Sequence, residues 1–251
     1  MKVNSDKKLI IFDLDGTLAE SKSDLAPEMA LLLKSLLEIK KVVVIGGAGF
    51  EQFQKQFLAK LEQDSEFKNL FLFPMNASAF YRYNGNAWEK VYEEVISAEE
   101  KQEILNAFEK TFKDLNYTHP QKIYGELIED RGAQITFSAL GQEAPLELKE
   151  KWKFEHTADK MKIAETLQKY LPDFTVRAAG YTSIDVTRKG IDKEYGIEQI
   201  EKYLNIPISK MLFIGDALFP GGNDYAVLNT GVEYISVKGP EETEEIIKML
   251  L

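Results

Sequence analysis

The sequence predicts an α/β protein: a core built on a parallel sheet, interrupted by an inserted α+β module whose own sheet is antiparallel. Three observations carry this reading. Runs of four apolar residues (Leu9–Phe12, Val42–Ile45, Met211–Ile214) each lead into a polar or glycine-containing loop, as strands covered on both faces do. Amphipathic helical stretches alternate with these runs, the pattern of βαβ units. Between about Asn84 and Thr187 the alternation stops, and it resumes afterwards. The expected organisation is therefore core over residues 1–83, insert over 84–187 and core again over 188–251.

In chain order, Leu9–Phe12 is a buried strand that ends in Asp13-Leu14-Asp15-Gly16-Thr17, where Gly16 supplies the turn. Pro27 to Ile39 is a helix with Pro27 in its first turn and Met29, Leu32, Leu33, Leu36 and Leu37 at helical spacing. Strand Val42–Ile45 follows, then Gly46-Gly47-Ala48-Gly49 and a helix bearing Phe50, Phe53, Phe57, Leu58 and Leu61. Leu70–Phe73 is a third strand, stopped by Pro74, and Asn76 to Tyr83 reads as a fourth, turning at Asn84-Gly85. Phe71, Phe73, Phe80, Tyr81 and Tyr83 alternate as a half-buried sheet requires, so core packing is expected of them.

The insert reads as helix, two strands, helix, two strands. A polar helix spans about 97–115, and extended segments 122–129 and 133–140 are joined at Asp130-Arg131-Gly132. A helical stretch covers 146–170, interrupted near His156, and a hairpin turns at Gly180. The core then returns with a helix from about Asp192, strand Met211–Ile214 ending in Gly215-Asp216, a last strand 233–237 and a terminal helix whose acidic start suits the positive end of its dipole.

Composition narrows the function. Net charge is −10, which argues against nucleic acid or an anionic membrane surface as partner. The chain has no cysteine, which removes disulfides and thiolate metal sites. Met1 to Lys8 lacks the apolar core of a signal segment and no apolar run approaches spanning length, so a cytoplasmic protein is expected. His119 and His156 have no metal-ligand spacing.

Asp13 and Asp15 lie beyond a strand end, where open parallel sheets bind ligands. Two carboxylates this close repel unless a cation lies between them, and Mg²⁺ takes a few carboxylates together with water and phosphate. A glycine-rich loop opening a helix, as at Gly46, Gly47 and Ala48, offers N–H groups to an anion.

The string Asp13-Leu14-Asp15-Gly16-Thr17-Leu18 after an apolar strand resembles the first motif of the haloacid dehalogenase (HAD) superfamily of phosphoryl-transfer enzymes. The resemblance implies a Rossmann-like HAD core with an inserted cap. It makes Asp13 the nucleophile and Asp15 the general acid/base. Gly46, Gly47 and Ala48 fall at the second motif, with Ala48 where a Ser or Thr hydroxyl is usual, and Lys193 falls at the third. Asp216 falls at the fourth and would hold Mg²⁺ with Asp13 and Asp15, while Asn223 and Asp224 would stand behind them.

Several stretches are similar to the large-cap (Cof-type, or IIB) branch, and most of all to eukaryotic-type phosphomannomutases. Ile45–Glu51, the cap segment from Arg131 to Gly141, Ser183-Ile184-Asp185-Val186 and the run Gly215–Asp224 carry that likeness. It implies a small phosphate ester as substrate, a hexose phosphate above others, contacts from cap residues Arg131, Gln142, Lys149, Ser183 and Asp185, and a homodimer formed through the cap. Arg131 keeps the family's residue, but Gln142 and Lys149 stand where the family carries arginine, and Lys22 is the nearest cation to the arginine that follows its first motif. Fewer guanidinium forks should hold a second phosphate less tightly. The expectation is therefore a sugar-phosphate phosphatase, with a hexose phosphate mutase as the alternative and a non-catalytic HAD-fold regulatory module as the third reading.

Overall fold

The computed structural model describes residues 6–20, 23–61 and 65–251, so Lys22 lies outside the described residues. The chain forms two compact units, residues 1–93 with 191–251 and residues 94–190.

The first unit is built on a seven-stranded sheet. Its elements are β1 (Leu9–Asp13), α1 (Pro27–Ile39), β2 (Lys41–Ile45), α2 (Phe50–Gln56), β3 (Leu70–Phe73), α3 (Pro74–Ala77), β4 (Ala79–Tyr83) and β5 (Trp88–Glu93). The strand order is β11-β10-β1-β2-β3-β4-β5, where β10 (Met211–Gly215) and β11 (Glu233–Ser236) come from the chain's return. The five strands from β11 to β3 are parallel, while β4 and β5 add an antiparallel hairpin at the edge. The insert thus begins after β5 and not at Asn84, because Trp88–Glu93 pairs with β4. The turn is the Asn-Gly one, with Asn84 Oδ1 accepting from the N–H groups of Asn86 and Ala87 at 3.0 Å each.

β1 is buried along its whole length, which fits a strand with no polar residue before its final aspartate. Met29, Leu33, Leu36 and Leu37 of α1 are buried as their spacing requires, while Leu32, expected with them, is half-buried at the margin of the stripe. Phe73 stacks on Phe80 with ring centroids 4.5 Å apart, so these alternating aromatics are core. Register aligns the strand ends that matter. Asp13 pairs with Ile45 and Ile45 with Phe73, so β1, β2 and β3 release the chain at one edge of the sheet.

One local departure from the expected pattern lies at Asn76, read above as the start of a strand. Residues 74–77 form instead a single turn, α3, in which Met75, Asn76 and Ala77 are left-handed (φ 52°, 53° and 70°) and buried. Asparagine tolerates this region; Met and Ala pay about 1–2 kcal/mol each for it. Nothing in residue spacing announces such a turn.

The second unit has α4 (Ala98–Asp114), β6 (Ile128–Asp130), β7 (Ile135–Ser138), α5 (Leu146–Tyr170), β8 (Phe174–Ala179) and β9 (Ser183–Arg188). Its sheet runs β6-β7-β9-β8, antiparallel throughout. Ile104 and Phe108 of α4 and Ile163 and Leu167 of α5 form one core with Phe137, Ile184 and Val186, so both helices cover the same sheet face. Residues 122–127, expected as strand, lie outside β6. α5 is interrupted at His156 (φ −127°, ψ 19°), where the sequence placed a break.

Ser97 and Glu100 close α4 with a capping box, and Arg188 of β9 donates to Glu100 at 2.7 and 3.2 Å. The Arg188 hydrogen bonds, then the Ser97 N–H, hold the Glu100 carboxyl below its ordinary value. A lowered carboxyl contributes stability above its ordinary range and loses it as pH falls through the lowered value. Glu100→Ala is therefore expected to cost ~1–2 kcal/mol at neutral pH. Urea unfolding should show that difference shrinking below about pH 4, and a pH-independent difference would contradict the assignment.

The chain returns to the first unit through α6 (Lys193–Leu204) and ends in α7 (Pro240–Leu250). No helix among the described residues is long and apolar enough to cross a membrane.

Candidate active site

Asp13 closes β1 and is 1% exposed. The chain then turns at Gly16, whose φ of 87° suits glycine and whose missing side chain matters as much. A Cβ there would stand 2.7 Å from Asp216 Oδ2. Asp216 follows β10 and accepts from Thr17 Oγ1 at 3.3 Å, which ties the two strand-end loops together.

Lys193 opens α6 behind an N-cap that satisfies the helix start: Asp192 Oδ1 accepts from the N–H groups of Glu194 and Tyr195 at 2.9 and 3.2 Å. Its side chain is fully buried and its ammonium donates to both Asp13 Oδ1 and Asp224 Oδ1. Asp224, expected behind the site, is in direct contact with Lys193. Its second oxygen accepts from the Ala217 N–H at 3.0 Å. That dual use explains Gly215, where a Cβ would come within 2.4 Å of Asp224 Oδ2. Asn223, its neighbour in the motif, is exposed.

Charge does not balance here. Oxygens of Asp13, Asp216 and Asp224 lie within 4.8 Å of one another, against one ammonium. Burial pushes the Asp13 carboxyl up; Lys193 pulls it down, while Asp224 and Asp216 push it up again. Asp216 is raised by burial and by Asp224. Burial works against the Lys193 charge, but the two carboxylates outweigh it and hold the amine charged.

Asp13 Oδ2 is buried and has no hydrogen-bond partner. An orphaned carboxylate oxygen beside a half-buried aspartate is the donor set a hard divalent cation takes. The residues present therefore fit Mg²⁺. Asp15, half-buried, lies two residues beyond Asp13 in the same turn, where Gly16 N–H donates to the Ala19 carbonyl at 2.7 Å.

Gly46, Gly47 and Ala48 leave β2 at the edge where Asp13 leaves β1. Gly46 is tied back to β3, its N–H donating to the Phe73 carbonyl at 3.2 Å. Among the described residues, the N–H groups of Gly47 and Ala48 donate to no protein acceptor.

In the second unit, Ser183 and Asp185 lie on the sheet face opposite the α4 and α5 core, and Gln142 and Lys149, the latter in the first turn of α5, join them through a chain of contacts to Thr136. Asp185 Oδ1 accepts from Thr136 Oγ1 at 2.9 Å, and Ser183 lies two residues before Asp185 on β9. Gln142 Nε2 donates to the Thr136 carbonyl at 3.0 Å, and Lys149 Nζ to the Gln142 carbonyl at 2.8 Å. Thr136 and Gln134, which donates to the Thr136 hydroxyl at 2.9 Å, belong to this network and were not anticipated. Their signal was the polar half of the alternation in Gln134-Ile135-Thr136-Phe137. Arg131 sits apart from these contacts, in the β6–β7 turn, paired with Glu129 at 2.6 Å.

A sequence model described as eukaryotic phosphomannomutase matches residues 29–251. The phosphomannomutase of Encephalitozoon cuniculi is 29% identical over 95% of this chain and 91% of its own. That of Schizosaccharomyces pombe is 28% identical over 97% and 94%. Among solved structures, an N-terminally truncated IMP-nucleotidase of Plasmodium falciparum superposes with a TM-score of 0.70 at 20% identity, over 98% of this chain and 70% of that one. A haloacid dehalogenase-like hydrolase of Bacteroides thetaiotaomicron gives 0.67 at 15% identity, over 98% and 100%. These structural likenesses establish the fold, a HAD core and cap. With its aspartate cluster at the core strand ends and a family match along most of its length, the chain belongs to the eukaryotic phosphomannomutase family.

Proposed function

We propose that this HAD-fold enzyme is a Mg²⁺-dependent hexose phosphate mutase that works through an aspartyl phosphate on Asp13. The observation that carries the chemistry is the buried Lys193 ammonium joining Asp13 to Asp224 at the strand ends. Bound by Asp13, Asp216 and the Asp15 carbonyl, Mg²⁺ would offset the charge of the incoming phosphate.

A carboxylate oxygen of Asp13 attacks phosphorus in line, forming the O–P bond as the bond to the sugar oxygen breaks. Asp15 gives its proton to that leaving oxygen. In the return step Asp15 takes the proton of an accepting hydroxyl, which attacks the phosphoryl group and restores Asp13. Lys193 fixes the orientation of Asp13, and the N–H groups of the Gly47 loop receive the phosphoryl oxygens.

Family membership favours a sugar hydroxyl as acceptor over water. Hydrolysis is the second reading, favoured by one observation: at the two cap positions that lack arginine, Lys149 is turned onto the Gln142 carbonyl. One reaction separates them. The protein with Mg²⁺ and mannose 1-phosphate or glucose 1-phosphate, with and without the matching 1,6-bisphosphate, is followed for hexose 6-phosphate and free phosphate together. Bisphosphate-dependent 6-phosphate formation with little free phosphate is the expected result. Phosphate release without isomerisation would replace the mutase with a phosphatase.

A further inference from the structure

We infer that the left-handed turn Met75–Ala77 completes the anion site: its backbone aims the loop's N–H groups, and the Asn76 carboxamide supplies the side-chain donor that Ala48 cannot. The inference rests on the phosphoryl-transfer reading and adds to it a binding residue outside the four motifs.

Geometry leads the argument. The N–H of Asn76 donates to the Gly46 carbonyl and that of Met75 to the Ala48 carbonyl, both at 2.9 Å. In a trans peptide the C=O and the following N–H point to opposite sides. These two bonds therefore turn the N–H groups of Gly47 and Gly49 away from the turn. Among the described residues neither donates to a protein acceptor. Both follow β2 at the edge where Asp13 ends β1, since Asp13 and Ile45 are in register.

The Asn76 side chain points to the same loop. A Cβ on Gly47 would stand 3.6 Å from Asn76 Nδ2 and 3.9 Å from Oδ1. Asn76 is 8% exposed, and among the described residues its carboxamide makes no hydrogen bond to protein. An amide with no protein partner beside a loop of outward N–H groups is open to an anion's oxygens. The phosphoryl oxygens this loop receives would be its partner, and Gly46-Gly47-Ala48-Gly49 itself offers no side-chain donor, Ala48 standing where the family resemblance places a hydroxyl.

Backbone strain supports a functional role. Three consecutive left-handed residues, two of them neither Gly nor Asn, are held in place by surrounding structure. Ala77 meets α6 at Gly196, where a Cβ would lie 3.0 Å from the Ala77 Cβ, one turn beyond Lys193. The Ala77 carbonyl accepts from Tyr92 Oη at 2.9 Å. The turn thus braces the anion loop against the helix that carries the lysine.

The test is orthovanadate binding by the full chain in Mg²⁺, followed by calorimetry, which needs no knowledge of the sugar. Asn76→Ala is expected to weaken vanadate by about 10-fold or more, as loss of a hydrogen bond to a charged group does. Adding Ala48→Ser to that variant should recover part of the loss by restoring a hydroxyl donor. Asn76→Asp keeps a residue that tolerates the left-handed region, and guards against an Asn76→Ala chain that does not fold; its carboxylate should weaken vanadate further. Wild-type affinity in folded Asn76→Ala or Asn76→Asp would overturn the inference alone. A wild-type protein that binds no vanadate would overturn the phosphoryl-transfer reading, and the inference with it.

Discussion

Asp13→Asn is expected to abolish turnover while raising the melting temperature of the metal-free protein. The first half follows from the proposed chemistry: a carboxamide oxygen does not form the aspartyl phosphate, and losses of about 10⁴-fold or more are typical when a nucleophile is removed. The second half follows from the charge imbalance. Three carboxylates crowd one buried ammonium, and the Asp13 carboxyl is pushed up by its burial. Asparagine keeps an oxygen to accept from Lys193 and removes one of the repelling charges, and Lys193 retains Asp224.

The same imbalance sets a sign with pH. A carboxyl raised in the folded state binds its proton more tightly than in the unfolded chain. Stability without metal should therefore fall as pH rises from the ordinary aspartate range through the raised value of Asp13. Each kcal/mol relieved in Asp13→Asn should appear as ~2–4 °C in a calorimetric scan. Turnover within about 10-fold of wild type would exclude Asp13 as nucleophile. A lowered melting temperature would mean that the Asp13–Lys193 pair outweighs the crowding.

Most of the core was legible because its signals are local and redundant. Leu9–Phe12 followed by Asp-Leu-Asp-Gly reads as a buried strand and charged turn under any arrangement of neighbours, and Met211–Ile214 before Gly215-Asp216 does the same. Three features needed the fold, for different reasons. The turn at 74–77 bears Asn76, a residue common in strand-end loops, and its left-handed backbone is imposed by bonds to Gly46 and Ala48, distant in sequence. Asp224 was expected behind the metal ligands on resemblance alone, and only the fold brings its carboxylate to an ammonium 31 positions earlier. The hairpin strand Trp88–Glu93 was assigned to the insert because alternation of parallel units ended before it. An antiparallel edge strand breaks that alternation without leaving the sheet.

Lys193→Met should produce the largest loss of stability available at the site. The ammonium is wholly enclosed and is the shared partner of two buried carboxylates, so its removal leaves Asp13 and Asp224 facing each other without the charge between them. Breaking a buried pair from one side costs about 3–5 kcal/mol, because the remaining charge is stranded in a dry site. Methionine keeps much of the lysine stem's volume, so packing beside the Phe213 ring changes little and the loss reports on charge. Mg²⁺ should then stabilise the variant more than the wild type, since a divalent cation can take over part of the missing compensation. Urea unfolding of both chains, with and without Mg²⁺, measures the two terms separately. An equal Mg²⁺ increment in both would show that the cation and Lys193 compensate different carboxylates. That outcome would place the metal on Asp216 and the backbone, away from the oxygen of Asp13 that has no partner.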